Sequence, residues 1–368
     1  MAVKAEKSAQ TGRVDVAKPR VLMLIPSYAK NDVQEKVVAN QHPTMDYFAL
    51  QSRLGADIAD YSVMDADRSP MVRAARKAGR DAALAMHGFL KRKEYDVIFS
   101  NGENVSIPLA SLFKSVRKRP GHVLIGHHLS PNKKKPFLRS LHPQMDAIFL
   151  YAATQKAYAM ETLGIPEQKL HLIPFHADAQ FYQPMPDVTV ENCVSSAGLE
   201  WRDYPTLIEA VAELDLEVRL AAASPWSKHK NETENRELPR NVTARRYAYD
   251  ELRELYAKSR FVVVPLYDND FQAGVTTLLE AMAMGKAVII TQTKGQRDVI
   301  QHGVNGLYVP PGDVQAFRSA IVSLLACPEK AAEMGANARK TIETEMSLDL
   351  WADRIAQVTR DVATRNIR

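Results

Sequence analysis

The chain of 368 residues, 46% of them apolar with 16 glycines and 20 prolines, has the length of about two domains and enough apolar side chains for a core in each. Two cysteines, Cys193 and Cys327, exclude a disulfide framework and have no metal-ligand spacing, so a reduced, cytoplasmic setting is expected. The net charge of +5 is uneven: the first 185 residues carry 26 Lys and Arg against 17 Asp and Glu, the remainder 22 against 26.

In chain order, residues 1–18 are a polar tail, read as disordered and not as a signal peptide. No apolar run approaches the ~20 residues that span a bilayer. "RVLMLIP" (20–26) predicts a strand, 71–93 a helix, "YDVIFS" (95–100) a strand, and 108–118 a helix. "HVLIGHH" (122–128) and "DAIFLYA" (146–152) are strands. A helix over 154–164 is closed by Gly164 and Pro166, and "LHLIPF" (170–175) is a strand. After a connection from Pro184 to Asp187 the alternation repeats. Strands are expected at 192–198, 217–223, 242–247, 261–267, 287–291 and 306–311. Helices are expected at 204–214, 249–259, from about Gly274, and at 314–327, with an irregular polar loop at 224–240. The tail from Ser347 reads as a helix. Such alternation gives parallel sheets covered by helices, hence an α/β fold of two facing doubly wound, Rossmann-like domains with a cleft between them. The divisions are 1–18 tail, 19–185 N-terminal acceptor domain, 186–346 C-terminal donor domain, and 347–368 a helix packing back toward the N-terminal domain.

The segment "FQAGVTTLLEAMAMGKAVIIT" (271–291) carries the chemistry. It lies in a strand–loop–helix–strand unit, and ligands in such sheets bind at the carboxyl ends of strands beside helix N-termini. Gly274 admits a ligand close to the backbone, and the amides of Val275, Thr276 and Thr277 form an anion site. Thr276 and Thr277 share a helical face with Glu280, and the helix end lies about five residues before it, roughly 7.5 Å along the axis at 1.5 Å per residue. That separation suits a diphosphate at the helix end and a ribose held by the carboxylate. The same residues also read as a loop glycine, capping threonines and a satisfied surface acid, and spacing alone leaves the two readings level.

The stretch 274–313 resembles the nucleotide-sugar signature of retaining GT-B glycosyltransferases, family four (glycosyl transferases group 1). Its helix motif matches Leu279-Glu280-Ala281-Met282-Ala283-Met284-Gly285. Its later glycine motif matches Gly303-Val304-Asn305-Gly306-Leu307-Tyr308-Val309-Pro310-Pro311-Gly312-Asp313. The likeness is close over 196–345 and weaker over 120–182. Over 20–115 only the strand–helix alternation supports it.

What the resemblance implies is a metal-independent hexosyltransferase that moves a hexose from a nucleotide-diphosphate sugar to a hydroxyl acceptor with retention. The route is front-face substitution, with the donor phosphate assisting. No cofactor is implied beyond the co-substrate, UDP-glucose or GDP-mannose. Gly198 matches the glycine after the second domain's first strand, and Arg202 the basic residue on the donor diphosphate. Glu280 matches the acid on the ribose, and Gly274 to Thr277 the phosphate cradle. His127 resembles the histidine aimed at the donor sugar, with His128 as the alternative. Arg202 and His127 are therefore the catalytic candidates. Gly102 and Glu103, at the end of a first-domain strand, and His128 are candidate acceptor contacts, an ordinary Asn-Gly turn being the competing reading of the first two.

Three departures stand out. "IPSYAKNDVQ" (25–34) has no glycine after the first strand, Leu199 replaces an arginine, and Gln272 replaces the first of two acids eight apart. The last bears on the sugar, because that acid sits by donor-sugar hydroxyls. Two other readings stay open: a nucleotide-sugar epimerase of the same fold, and a non-catalytic nucleotide-sugar-binding or membrane-docking module. The clusters Lys91-Arg92-Lys93, Arg117-Lys118-Arg119 and Lys133-Lys134-Lys135 are a solvated face, or a surface for anionic membrane or an acidic acceptor. Nucleic acid is not indicated, since no aromatic residues interleave with them. The acceptor is a small molecule, a lipid or a glycan, and the setting is cytoplasmic or peripheral to the inner face of a membrane.

Overall fold

The computed structural model describes residues 18–29, 31–222 and 238–367, so the expected tail and most of the polar loop at 224–240 lie outside the described residues. Two six-stranded parallel sheets organise the rest. The first contains β1 (Val21–Leu24), β2 (Asp57–Ala59), β3 (Val97–Asn101), β4 (Gly121–Gly126), β5 (Ala147–Leu150) and β6 (Leu170–Leu172), in the order β2-β1-β3-β4-β5-β6. The second contains β7 (Cys193–Ala197), β8 (Glu217–Ala221), β9 (Val242–Ala244), β10 (Val262–Val264), β11 (Val288–Thr291) and β12 (Leu307–Val309), in the order β12-β11-β10-β7-β8-β9. Helices cover both faces, so the central strands are continuous apolar runs: Val21 to Leu24 and Val262 to Val264 are buried throughout. In the second sheet the order reverses between β7 and β10, which opens a crevice at their carboxyl ends.

Two helices differ from expectation. The run at 71–93 is broken into Pro70–Ala75, a single turn at Arg76–Ala78, and Arg80–Lys91. Gly79, at φ 119°, takes a conformation that ends a helix, although the apolar pattern continues past it. The helix expected at 108–118 runs instead over Glu103–Phe113, with Pro108 inside it. Proline costs that helix a hydrogen bond, and the burial of Val105, Leu109, Ala110 and Phe113 offsets the loss.

The C-terminal helix Leu348–Ile367 packs on the first sheet, where Trp351, Ala352, Ile355 and Ala356 share a core with Met23, Phe99, Val123 and Phe149. The chain thus crosses between the sheets twice, and the crossings are tied together. The Ala177 amide donates to the Met346 carbonyl (3.0 Å), and the Leu348 amide donates to the Ala177 carbonyl (2.8 Å). A second tie joins a loop of the first domain to the helix Tyr249–Lys258: Arg253 donates to Asn40 Oδ1 (3.0 Å), and the His42 ring lies 4.3 Å from that of Tyr249.

Candidate active site

Strand β10 leads through Pro265 and Leu266 into a loop that ends at Gly274, the residue preceding the helix Val275–Ala283. Gly274 is left-handed (φ 75°), and a Cβ there would lie 2.9 Å from Val264 Cγ1 and 3.4 Å from Arg202 Nη1. Only glycine lets the helix start so close to the strand. No side chain caps this helix, so the threonines do not act as caps; the amides of Thr276 and Thr277 have no acceptor among the described residues and point out of the N-terminus. The positive end of a helix dipole, bare of side-chain oxygen, is suited to an anion.

Arg202 meets that helix end from the loop after β7. Its guanidinium donates to the carbonyls of Ala197 (Nε, 2.8 Å) and Glu200 (Nη1, 2.8 Å) and to Thr277 Oγ1 (Nη2, 3.1 Å). Three of the five N–H donors of a guanidinium are thereby placed, leaving two for a ligand. Gly198, at φ 89°, leaves room for this side chain, because a Cβ there would stand 2.6 Å from Arg202 Nη2. Tyr204 donates its hydroxyl to the Gly198 carbonyl (2.6 Å) and fixes the turn.

Glu280 is buried, not a surface acid. Its Oε1 accepts from Tyr182 (3.0 Å) and its Oε2 from Tyr256 (3.1 Å). Burial pushes its pKa up to about 7, against the pull of the two phenols and Arg202, which favour the charged form. Each carboxylate oxygen can accept a second bond, so two ribose hydroxyls can be added.

A cavity of about 570 Å³ joins these groups. Gly198, Arg202, Gln272, Gly274 to Thr277 and Glu280 all line it. It also takes in residues that sequence reasoning missed: Ala221 at the end of β8, and Tyr247, Ala248, Tyr249 and Leu252 beyond β9. From β10 to β9 the cavity crosses three strand spacings, roughly 14 Å at 4.8 Å each, the span of a diphosphate, a ribose and a base. The sequence signal for this end of the cavity was faint, a "YAY" following a three-residue strand.

A smaller cavity of about 100 Å³ lies across the two domains, lined by His127, His128, Tyr151 and Phe175 on one side and Asp270, Phe271 and Gln272 on the other. Gln272 and Phe271 border both cavities. Gln272 Oε1 is buried without a hydrogen-bond partner among the described residues, which costs about 1–3 kcal/mol unless a hydroxyl or amide reaches it. His127 donates from Nε2 to Asn101 Oδ1 (2.9 Å) and stacks on Tyr151 at 5.9 Å. Gly102 (φ 115°) sits against the His127 ring, 3.7 Å from a Cβ position to Cδ2. Glu103 does not line the cavity. Its carboxylate accepts from the His128 amide (2.6 Å) and pairs with Lys134 (3.3 Å), so it holds the His127–His128 turn in place. Among the described residues no group of three His, Cys, Asp or Glu is placed to hold a metal ion.

The loop bearing Gln272 is braced from behind. Gly295 donates its amide to the Asn269 carbonyl (3.1 Å), and a Cβ on Gly295 would lie 2.1 Å from the Phe271 carbonyl oxygen. Gln296 donates from Nε2 to the Ala273 carbonyl (3.2 Å).

Comparison with known proteins agrees with this architecture. Residues 193–341 match the family described as Glycosyl transferases group 1. The chain is similar to the amylovoran biosynthesis glycosyltransferase AmsK of Erwinia amylovora, 28% identical over 96 residues, covering 26% of this chain and 24% of that protein. It thus spans about a quarter of that relative's length. Among solved structures, Anabaena HepE in complex with UDP-glucose superposes with a TM-score of 0.67 at 16% identity, over 93% of this chain and 100% of that one. Sucrose-phosphate synthase from Thermosynechococcus elongatus gives 0.68 at 16% identity, over 94% and 100%. Those two likenesses carry the fold. Residues 193–341 are therefore a glycosyl transferases group 1 domain, set in a chain of GT-B architecture.

Proposed function

We propose that this chain is a glycosyltransferase that moves a hexose from a nucleotide-diphosphate sugar to a hydroxyl acceptor with retention at the anomeric carbon. The observation that carries the reading is the meeting of Arg202, the uncapped Thr276 and Thr277 amides and Glu280 in one cavity, which shares Gln272 and Phe271 with the His127 cavity. In this reading the diphosphate lies on the helix end and Arg202, Glu280 accepts the ribose hydroxyls, and the base rests against Tyr247 to Leu252. The sugar then faces Gln272 and His127.

The C1–O bond to the β-phosphate breaks, its electron pair leaving with the diphosphate. The acceptor oxygen bonds C1 on the same face and gives its proton to the departing phosphate oxygen. Arg202 and the helix amides stabilise the growing negative charge, so turnover is expected in the presence of EDTA. UDP-glucose, bound in HepE, is the first donor to test, and GDP-mannose the second. Gln272, neutral where an acid is usual, favours one other reading, a binding module without turnover.

A thermal-shift panel of nucleotide-diphosphate sugars tests donor binding, since a true donor stabilises the folded state. Proton NMR of the transferred sugar's anomeric coupling tests retention. Stabilisation without product supports the module; a product of inverted configuration overturns the front-face reading.

A further inference from the structure

Away from the cleft, the N-terminal domain has an apolar groove of about 380 Å³ between the helices Arg80–Lys91, Glu103–Phe113 and Lys135–Leu141. Ala75, Ala78, Met86, Ile107, Leu112 and Phe137 line it. Phe137 is 54% exposed, and Met71, on the adjoining helix, is 49% exposed. Open apolar surface with two large side chains at its edge is costly in water, and such patches mark contact with a partner or a membrane.

The surrounding charge indicates which. The segments 70–91, 103–118 and 131–141 that build the groove carry twelve Lys and Arg against two acids, Asp81 and Glu103. Both acids are engaged, Asp81 by the Tyr61 hydroxyl and Glu103 by Lys134 and the His128 amide. Arg73, Lys77, Lys114, Lys133, Lys135 and Arg139 have no acidic partner among the described residues. An apolar slot rimmed by unpaired cations is complementary to a surface that offers hydrocarbon and phosphate together.

We propose that this face docks on an anionic phospholipid bilayer, with Phe137 and Met71 entering the acyl region, a hydrocarbon chain seated in the groove, and the lysines and arginines on headgroup phosphates. Docking is independent of the transfer reaction. It has a consequence for it nonetheless: Ile107 lies one helical turn, roughly 6 Å, beyond Glu103, whose carboxylate holds the His128 amide. The groove therefore opens close to the cleft wall that carries His127 and His128, and docking brings that wall near the lipid surface.

The test is flotation of the full chain with phosphatidylcholine vesicles, alone and mixed with phosphatidylglycerol. The wild-type chain is expected to float with the mixed vesicles only, and less at high salt. Lys133→Glu with Lys135→Glu should weaken binding by about fivefold or more per position, and Phe137→Ser by a similar factor, while circular dichroism of each variant matches the wild type. No flotation of the wild type overturns the proposal. Loss in the lysine variant but not in Phe137→Ser overturns the seating of hydrocarbon in the groove. Concentration-dependent self-association without vesicles, abolished by Phe137→Ser, would assign the groove to a second copy of the chain instead.

Discussion

Glu280 is the residue on which the proposed donor site turns, and its titration is coupled to folding. Burial holds its folded pKa at about 7, above the ordinary 4.5 of a glutamate. The folded state therefore binds the proton more tightly than the unfolded chain does. Stability is greatest below the unfolded value and falls as pH rises through about 7, by up to about 3 kcal/mol. Glu280→Gln should flatten that slope in calorimetric melts between pH 5 and pH 8. The same variant should weaken donor binding by about tenfold or more, because one carbonyl cannot accept both ribose hydroxyls and both phenols. An unaltered pH profile would place the titration elsewhere. The helical spacing of Glu280 from Thr276 and Thr277 was legible in the sequence, as was the substitution at Gln272. Its phenol partners were not, because Tyr182 and Tyr256 lie 98 and 24 residues away with no periodicity linking them to it.

At the scale of elements, the site depends on two loops pressed together with no space for a side chain. A Cβ on Gly295 would meet the Phe271 backbone, which cannot rotate away, so Gly295→Ala must displace one loop. We expect a loss of about 1–3 kcal/mol and poorer discrimination between donor sugars, read as the ratio of kcat/KM for two of them. Gly303→Ala is the control: φ is 81° but nothing stands within 4 Å, so it should cost about 1–2 kcal/mol and leave the ratio unchanged. Equal effects of the two variants on the ratio would remove the bracing role. The β10–helix–β11 unit was readable because all its signals agree: an apolar strand, a glycine, a largely apolar helix and a second apolar strand. The first domain was less readable. At Pro108 a local preference for a helix start lost to burial on both sides of it, and Gly79 interrupts a pattern whose apolar spacing runs on.

For the whole molecule, the C-terminal helix completes the first domain although it follows the second in sequence. Arg53 pairs with Asp349 and Asp353, and Trp351 lies fully buried against the first sheet. The helix itself was legible from its periodicity; its contacts span about 300 residues and leave no local trace. Ending the chain after Ser347 should abolish the N-terminal domain's unfolding transition while the C-terminal domain's persists. Trp351→Ala should cost the first transition about 3–5 kcal/mol. Survival of both transitions in the shortened chain would refute this dependence. The central claim, that the cleft breaks a nucleotide-diphosphate sugar between Arg202 and the helix end, is tested most directly by nucleoside diphosphate release. The purified chain is incubated in EDTA with a panel of such sugars, beginning with UDP-glucose and GDP-mannose. The account predicts release from at least one donor and a fall of about 10²–10³-fold in Arg202→Ala; no release from any donor, or equal release by the variant, would contradict it.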